Sequence, residues 1–267
     1  MAVDHYENFP VASILLPRPL REPVAAIYAF ARNADDFADE GQRSPEERLG
    51  LLNGYRAELD AIERNHPTQH PVFQRLRPVV ARHGLSLQPF RDMVDAFSQD
   101  VVKARYASHA ELMDYCRRSA NPVGRLMLAL FRTDQEVNLR RSDAVCSALQ
   151  LINHWQDVAV DWTKGRVYLP QEDLRRFGVA EAQIAAGQCD APWRALMRFQ
   201  VDRARTLMES GAPLGRDLPG RVGLEIRAIV AGGLRILEKI EAVDYDVFRR
   251  RPVLGTLDWP PILWRAL

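Results

Sequence analysis

The chain has few cysteines and almost no net charge, and each shortage argues against a class of function. The three cysteines among 267 residues, Cys116, Cys146 and Cys189, show no Cys-x-x-Cys spacing. This favours a reducing compartment and structural thiols over a disulfide framework or a zinc site. The 36 lysines and arginines against 35 aspartates and glutamates give a net charge of +1. Because the chain has no basic field, we expect no nucleic-acid partner.

Long apolar runs are missing as well. No stretch reaches the roughly 18 apolar residues that a membrane-spanning helix needs. The first residues also lack the basic region and apolar core of an export signal. We therefore expect a cytoplasmic protein, with any membrane contact peripheral. The segment 258–264 is short and apolar and carries two tryptophans, so it could enter a membrane interface or pack against the protein body.

Patterns typical of strands are scarce, whereas apolar residues recur at helical spacing along most of the chain. The run Ser44-Pro-Glu-Glu47 is a capping signal for a helix that begins at Pro45. Helices are predicted over 20–39, 45–64, 72–83, 87–103, 110–131, 141–162, 193–211 and 223–243, with a loop over 211–223. Without a repeat or a low-complexity linker, the pattern predicts one all-α domain spanning 1–267.

One predicted helix carries an oxygen-bearing side chain at every fourth position. Asn153, Asp157 and Asp161 stand in the run Leu149-Gln-Leu-Ile-Asn-His-Trp-Gln-Asp-Val-Ala-Val-Asp161. Such a set drifts only about 80° around a helix, so the three side chains form one stripe about 12 Å long. Apolar residues flank the stripe and leave little of the helix to face water. Because buried acidic groups need partners, a metal ion is expected there.

A second acidic cluster, Asp35-Asp-Phe-Ala-Asp-Glu40, lies far upstream, and its Asp35 and Asp39 also stand four positions apart. Two facing stripes of hard oxygen ligands suit Mg²⁺ ions that keep some waters and hold a substrate diphosphate. The alternative is that both clusters are solvated helix faces. His154 is offset by about 100° from Asn153, which favours a place in the core or a supporting role over catalysis.

The two acidic motifs resemble those of the squalene and phytoene synthase family of head-to-head trans-prenyltransferases. Tyr28-Ala-Phe-Ala-Arg-Asn-Ala-Asp-Asp-Phe-Ala-Asp39 resembles the first aspartate motif of that family. Asn153-x-x-x-Asp157-x-x-x-Asp161 with Gly165-Arg-Val-Tyr-Leu-Pro-Gln-Glu172 resembles the second. Tyr115-Cys-Arg-Arg-Ser-Ala-Asn-Pro-Val-Gly124 falls where the family has Tyr-Cys-x-x-Val-Ala-Gly-x-Val-Gly. The resemblance covers nearly the whole sequence.

The resemblance implies an isoprenoid synthase-like helical bundle around a central cavity. Three segments look most like the hydroxysqualene synthases of bacterial hopanoid biosynthesis: His5-Tyr-Glu-Asn-Phe-Pro-Val-Ala-Ser13, Tyr245-Asp-Val-Phe-Arg-Arg-Arg251 and Asp258-Trp-Pro260. Those enzymes ionise presqualene diphosphate, rearrange the carbocation and let water capture it. The alternative is a synthase that joins two farnesyl diphosphates to presqualene diphosphate or squalene, or a phytoene synthase-like enzyme. A non-catalytic helical interaction module would instead leave the aspartates solvated.

Departures from the family pattern favour a hydroxysqualene synthase over the other activities. His5-Tyr-Glu-Asn-Phe9 replaces a His-Ser-x-Ser-Phe segment, Arg118 replaces a tyrosine, and Gln156 stands where relatives commonly have arginine. These changes argue against condensation of two prenyl diphosphates. They imply an enzyme that receives presqualene diphosphate from a separate synthase and needs no reductant.

Candidate site residues fall into three groups. The Mg²⁺ ligands implied are Asp35, Asp39, Asn153, Asp157 and Asp161. Tyr115 and Asn121 are further catalytic candidates for contacts to water or phosphate. The substrate-binding candidates are Arg32, Arg118, Gln150, Lys164 and Arg166. The alternatives are a surface ion pair for Arg32 and favourable charges at a helix C-terminus for Lys164 and Arg166. The run Arg249-Arg-Arg251 folds over the diphosphate or is simply solvated.

Overall fold

The protein is described by a computed structural model that covers residues 16–39 and 41–267. Within those ranges the chain forms 14 α-helices and one 3-10 helix, and the extended backbone pairs only at an isolated bridge between Arg105 and Val167. The prediction of an all-α fold is confirmed. The segment from His5 to Phe9 lies outside the described residues, so the structure does not test what its departures from the family pattern imply.

The helices follow one another through mostly short connections. The first six are α1 (Arg18–Asp39), α2 (Pro45–Glu63), α3 (Pro71–His83), α4 (Gln88–Val102), α5 (His109–Ser119) and α6 (Asn121–Phe131). They are followed by α7 (Glu136–Gln156), α8 (Val158–Thr163), α9 (Gln171–Phe177), α10 (Glu181–Ala185), α11 (Ala191–Gly211), α12 (Leu214–Asp217), α13 (Gly220–Ala242) and α14 (Trp259–Ala266). Among the described helices, none is long and apolar enough to cross a membrane.

Two large apolar clusters form most of the core. In the first, Phe30 of α1 packs edge-on against Phe90 of α4, with ring centroids 5.0 Å apart. In the second, Trp155 of α7 and Trp193 of α11 are completely buried. Burial of each such aromatic side chain contributes about 1.5–3 kcal/mol. The first acidic motif is therefore anchored in one cluster and the second motif in the other.

Local signals set several helix ends as expected. The Ser44 hydroxyl accepts a hydrogen bond from the Glu47 N–H at 3.3 Å, and the Ser44 N–H donates to the Glu47 carboxylate at 2.7 Å. This capping box begins α2 where the sequence predicts it. Gly84 ends α3 with a left-handed φ of 63°, a conformation that glycine adopts without steric strain.

Two predicted helices are each divided in two. The helix predicted over 110–131 breaks at Ala120, because Pro122 fits the first turn of a new helix but not the interior of a continuous one. The helix predicted over 141–162 begins earlier, at Glu136, and is interrupted at Asp157. The Asp157 N–H still donates to the Asn153 carbonyl at 2.9 Å, and the Asp161 N–H to the Asp157 carbonyl at 2.7 Å. The acidic stripe therefore survives the interruption.

The predicted loop over 211–223 is wrong in part, since it contains α12 and the first residues of α13. Four further elements have no counterpart in the prediction: α9, α10, the 3-10 helix Thr256–Asp258 and α14. These elements span only one or two turns, which is too short for apolar periodicity to distinguish them from loops.

Gly211 provides a test of the close packing between α11 and α7. A Cβ added there would lie 2.5 Å from the Arg141 carbonyl oxygen and 2.7 Å from the Val145 side chain. The neighbouring backbone of α7 cannot move aside without disturbing the packing of the two helices. Gly211→Ala should therefore lower the free energy of unfolding, measured in urea, by about 1–3 kcal/mol. Gly54→Ala on α2 is the control, since nothing lies within 4 Å of a Cβ there. Equal stabilities of the two variants would contradict this packing.

Candidate active site

A polar cavity of about 170 Å³ opens between the helices that carry the acidic motifs. It is lined by Asp35 and Asp39 of α1, Asp100 of α4, Tyr115 of α5, Gln150, Asn153 and His154 of α7, Asp157, Asp161 of α8, Arg166 and Tyr168. Five of these eleven side chains are carboxylates. The chemistry of the cavity is therefore dominated by negative charge that must be compensated.

All five predicted Mg²⁺ ligands line this cavity. Asp35 and Asp39 stand one turn apart on α1, and Asn153, Asp157 and Asp161 follow one another along α7 and α8. The structure thus brings together two motifs that are far apart in sequence. Their role as metal ligands stays a prediction.

Asp39 is held by two basic side chains from beyond the second motif. Lys164 Nζ lies 2.9 Å from one carboxylate oxygen, and an Arg166 guanidinium nitrogen lies 2.7 Å from the other. Burial opposes ionisation of Asp39, but the charges of Arg166 and Lys164 outweigh it and lower the pKa of this carboxyl. Of the two predicted phosphate contacts, Arg166 therefore lines the cavity, whereas Lys164 is an exposed side chain at the C-terminal end of α8 that reaches the cavity residue Asp39.

Asp35 and Asp161 are less well compensated. Burial, followed by the charge of Asp39, raises the pKa of Asp35 to about 7, although Arg32 opposes the shift. Burial and then the charge of Asp157 raise the pKa of Asp161 to about 7. A cation between the two motifs would favour the ionised forms of both groups.

Asp157 is paired with the C-terminal part of the chain. Arg251 approaches its carboxylate with two guanidinium nitrogens, at 2.5 and 3.1 Å. The neighbouring Gln156 is buried, and its amide donates to the Pro252 carbonyl at 2.6 Å. These contacts fix residues 251 and 252 against the end of α7. Of the run Arg249-Arg-Arg251, Arg251 therefore reaches the site.

Asp100 is a cavity residue that sequence reasoning missed. Its carboxylate accepts hydrogen bonds from the Tyr115 hydroxyl at 2.7 Å and the Tyr168 hydroxyl at 3.2 Å. Burial raises the pKa of Asp100 to about 6, while the Tyr115 hydrogen bond and Arg166 oppose the shift. Nothing in the sequence distinguishes Asp100 from an aspartate on the solvated face of an amphipathic helix, because Val102 beside it is itself exposed.

His154 lines the cavity as well, although the sequence favours a supporting place for it. Its ring stacks on that of Tyr168 with centroids 3.7 Å apart, and its Nε2 lies 3.3 Å from the Gln150 amide nitrogen. Burial and the charge of Arg166 lower the pKa of His154 to about 3, so the imidazole is neutral. Because an amide nitrogen only donates, His154 accepts at Nε2 and carries its proton on Nδ1.

Four predicted site residues do not line the cavity: Lys164, which reaches it only through Asp39, and Asn121, Arg118 and Arg32. Asn121 is buried at the start of α6, where its amide oxygen accepts from the Ser147 hydroxyl at 2.8 Å. Arg118 binds Asp114 on its own helix and Gln99 of α4. Arg32 pairs with Asp36 at 2.8 Å and with Asp35 at 3.3 Å, the ion pair that is the alternative for this residue. Functional roles for these four residues stay predictions.

The oxygen ligands of the cavity suit a Mg²⁺ ion whose coordination shell is completed by waters and substrate phosphates. In the described ranges, no three histidine, cysteine, aspartate or glutamate side chains are arranged to hold an ion by themselves. Mg²⁺ is usually bound through one or two carboxylates, with waters and substrate phosphates completing its shell. The raised pKa values of Asp35 and Asp161 indicate where positive charge is needed. The cavity therefore suits Mg²⁺ that arrives with a diphosphate.

The bundle of helices around an acid-lined cavity is the fold of the isoprenoid synthases. The crystal structure of squalene synthase HpnC from Alicyclobacillus acidocaldarius superimposes with a TM-score of 0.84 at 36% sequence identity, covering 90% of each chain. The squalene/phytoene synthase family model matches residues 2–258. The chain belongs to this family, whose enzymes act on prenyl diphosphates.

Relatives of two activities are similarly close in sequence. A phytoene synthase from Arthrospira platensis is 33% identical in an alignment of 273 positions that covers 96% of this chain and 86% of that protein. A hydroxysqualene synthase from Rhodopseudomonas palustris is 34% identical over 240 residues, which is 89% of this chain and 80% of that protein. These matches establish the family and are equally close for both reactions.

The raised pKa of Asp161 makes stability depend on pH. In the metal-free protein this pKa is about 7 against an ordinary 3.8, so ionisation destabilises the folded state increasingly as pH rises from about 4 to about 7. Asp161→Asn should therefore raise the melting temperature in EDTA by more at pH 8 than at pH 5. Asp202→Asn, on the exposed face of α11, is the control. A gain for Asp161→Asn that is equal at both pH values would refute this account.

Proposed function

We propose that the chain is a hydroxysqualene synthase, a Mg²⁺-dependent carbon–oxygen lyase that converts presqualene diphosphate and water to hydroxysqualene and diphosphate in hopanoid biosynthesis. The observation that carries the proposal is the neutral pair of His154 and Gln150 in the same cavity as the acidic and basic side chains. Such a cavity combines groups for a diphosphate with groups for a water. The hydroxysqualene synthases among the relatives support the assignment.

Ionisation of the substrate breaks a carbon–oxygen bond, and both electrons leave with the diphosphate. Mg²⁺, held by the carboxylates of the two motifs and Asn153, would supply charge neutralisation for this leaving group. Lys164, Arg166 and Arg251 contact Asp39 or Asp157 in the metal-free protein. With a diphosphate bound, these basic side chains would donate charge-assisted hydrogen bonds to its phosphate oxygens.

The carbocation left behind rearranges beside aromatic rings. Tyr115 and Tyr168 line the cavity with ring centroids 5.8 Å apart. Because the Tyr168 ring is stacked between His154 and Tyr106, Tyr115 is the ring placed to attract positive charge. Both hydroxyls donate to Asp100. This directs the proton of each phenol away from the cation, and burial raises the pKa of both groups well above the ordinary value.

Water ends the reaction. The Gln150 amide is oriented by its hydrogen bond to His154, and an amide oxygen is a suitable acceptor for a water molecule. A lone pair of that water forms the new carbon–oxygen bond, and its proton passes to the released diphosphate. No electron donor is needed. A separate presqualene diphosphate synthase would have to supply the substrate.

A synthase that condenses two farnesyl diphosphates is the second candidate, and the similarity to phytoene synthases favours it. Condensation requires positive charge for a second diphosphate. At the position where relatives commonly have arginine, this chain has Gln156, whose amide is buried against Pro252 and away from the cavity. Arg118, in place of a tyrosine, is engaged by Asp114 and Gln99. These contacts favour a site for one diphosphate.

Loss of either acidic motif should abolish turnover of presqualene diphosphate. Asp35→Ala and Asp157→Ala each remove a carboxylate from one side of the cavity, and the rate should fall roughly a thousandfold or more. Product is measured by gas chromatography, and circular dichroism should show unchanged helical content. Asp202→Ala, which alters an exposed carboxylate, should keep the activity. Near-normal rates for both cavity variants would exclude the two-motif site.

Product analysis separates the two candidate reactions. With presqualene diphosphate in ¹⁸O-labelled water, hydroxysqualene should carry one solvent oxygen, and NADPH should change neither rate nor product. Farnesyl diphosphate alone should give little product. Condensation of farnesyl diphosphate at a comparable rate would favour the second candidate, and a hydrocarbon formed only with NADPH would show that hydride ends the reaction.

A further inference from the structure

The loop between α8 and α9 carries two of the basic side chains that approach the cavity. Residues 164–170 join the two helices, and Lys164 and Arg166 both contact Asp39 of α1. Neither basic residue lies in a helix, and Gly165 between them has a left-handed φ of 74°. The direction in which the two side chains point therefore depends on what holds the backbone of this loop.

The segment before α5 supports the second half of the loop through backbone hydrogen bonds. The Val167 N–H donates to the Ala104 carbonyl at 2.9 Å, at the isolated β-bridge. Further along, the Gln171 N–H donates to the Tyr106 carbonyl at 2.9 Å. These hydrogen bonds begin at Val167, so the Gly165 carbonyl has to be held in another way.

Arg105 is the side chain that holds it. Its Nη1 donates to the Gly165 carbonyl at 2.5 Å and to the Ala104 carbonyl at 2.8 Å. Its guanidinium also lies 5.8 Å from the ring centroid of Trp162 in α8, within the range of a cation–π contact. Arg105 thus contacts residues on both sides of Lys164.

Glu181 fixes the guanidinium of Arg105 in turn. Its carboxylate accepts from Arg105 Nε at 2.7 Å and from Nη2 at 2.8 Å, and the Gln171 side-chain amide donates to the same carboxylate at 3.0 Å. Glu181 begins α10, whose Ile184 is buried in the core. A bidentate pair of this kind sets the plane of the guanidinium, whereas a lysine would make a contact without a fixed direction.

The pair of Arg105 and Glu181 contributes little to stability and does not touch the cavity. Each side chain keeps 33% of its surface exposed, and ion pairs in contact with water add little to the free energy of unfolding. Neither residue lines the cavity. The pair does fix the position of Gly165 and, through it, the residues on either side.

We propose that Arg105 is a positioning residue for a diphosphate: held by Glu181, it fixes the loop so that Lys164 and Arg166 point to the phosphate oxygens. Donors that are already ordered bind an anion more tightly than donors that lose their freedom on binding. The inference rests on the diphosphate site of the proposed function, and it holds whichever reaction follows ionisation.

Binding of inorganic diphosphate tests this role without any prenyl substrate. Calorimetric titration in excess Mg²⁺ gives the affinity of the native chain. Arg105→Met should weaken binding by roughly tenfold or more, the equivalent of about one charge-assisted hydrogen bond. Arg125→Met is the matched control and should bind like the native chain. Arg125 makes a similar bidentate pair with Asp143, at 2.9 and 2.6 Å, and neither residue lines the cavity.

A double variant separates positioning from a general loss of stability. Because Arg105 acts through the loop, Arg105→Met combined with Arg166→Met should weaken binding by less than the product of the two single losses. Glu181→Gln keeps the shape of the side chain and removes its charge. It should weaken binding in the same direction as Arg105→Met, and it provides the test where Arg105→Met does not fold.

Three results would overturn the inference: equal diphosphate affinity of Arg105→Met and Arg125→Met, single losses for Arg105→Met and Arg166→Met that multiply in the double variant, or native affinity in Glu181→Gln. A native chain that binds no diphosphate would contradict the proposed function and this inference with it. A native chain that binds diphosphate without turning over presqualene diphosphate would contradict the proposed reaction and leave the role of Arg105 intact.

Discussion

Five aspartates share one cavity of about 170 Å³, and the repulsion among their carboxylates is the constraint that organises the site. Three basic side chains and two tyrosine hydroxyls compensate part of the charge, each through a specific contact with Asp39, Asp157 or Asp100. The remaining charge appears as raised pKa values at Asp35 and Asp161. Without cations, some of these carboxyl groups therefore keep their protons near neutral pH. When cations enter the cavity, all of the carboxyl groups ionise.

Spacing alone predicts four of the five aspartates of the site, together with Asn153. Asp35 and Asp39, and Asn153, Asp157 and Asp161, repeat at the period of a helix, and the repeat survives the interruption of the helix because hydrogen bonds continue across it. The contacts that compensate these groups depend on tertiary structure instead. Periodicity within one helix carries no information about a partner that arrives from another part of the chain.

His154 shows how a local inference was incomplete. The angular offset of His154 from Asn153 predicts a side chain that points away from the cavity. His154 also lies one helical turn after Gln150, however, and both side chains line the cavity. The cavity covers a wider arc of α7 than the three-residue stripe. Asp100 and Tyr168 are 68 positions apart, so neither could be assigned without the fold. The short helices α9, α10 and α14 were missed because one or two turns give no periodic signal.

The cavity lies between two apolar clusters, and α1 packs into one of them while α7 packs into the other. A ligand that contacts both motifs therefore acts as a cross-link between the two halves of the core. Because it binds the folded chain and not the unfolded one, it stabilises the protein by mass action. It also couples the unfolding of one cluster to that of the other, so that the loaded protein should lose its two cores in a single cooperative transition.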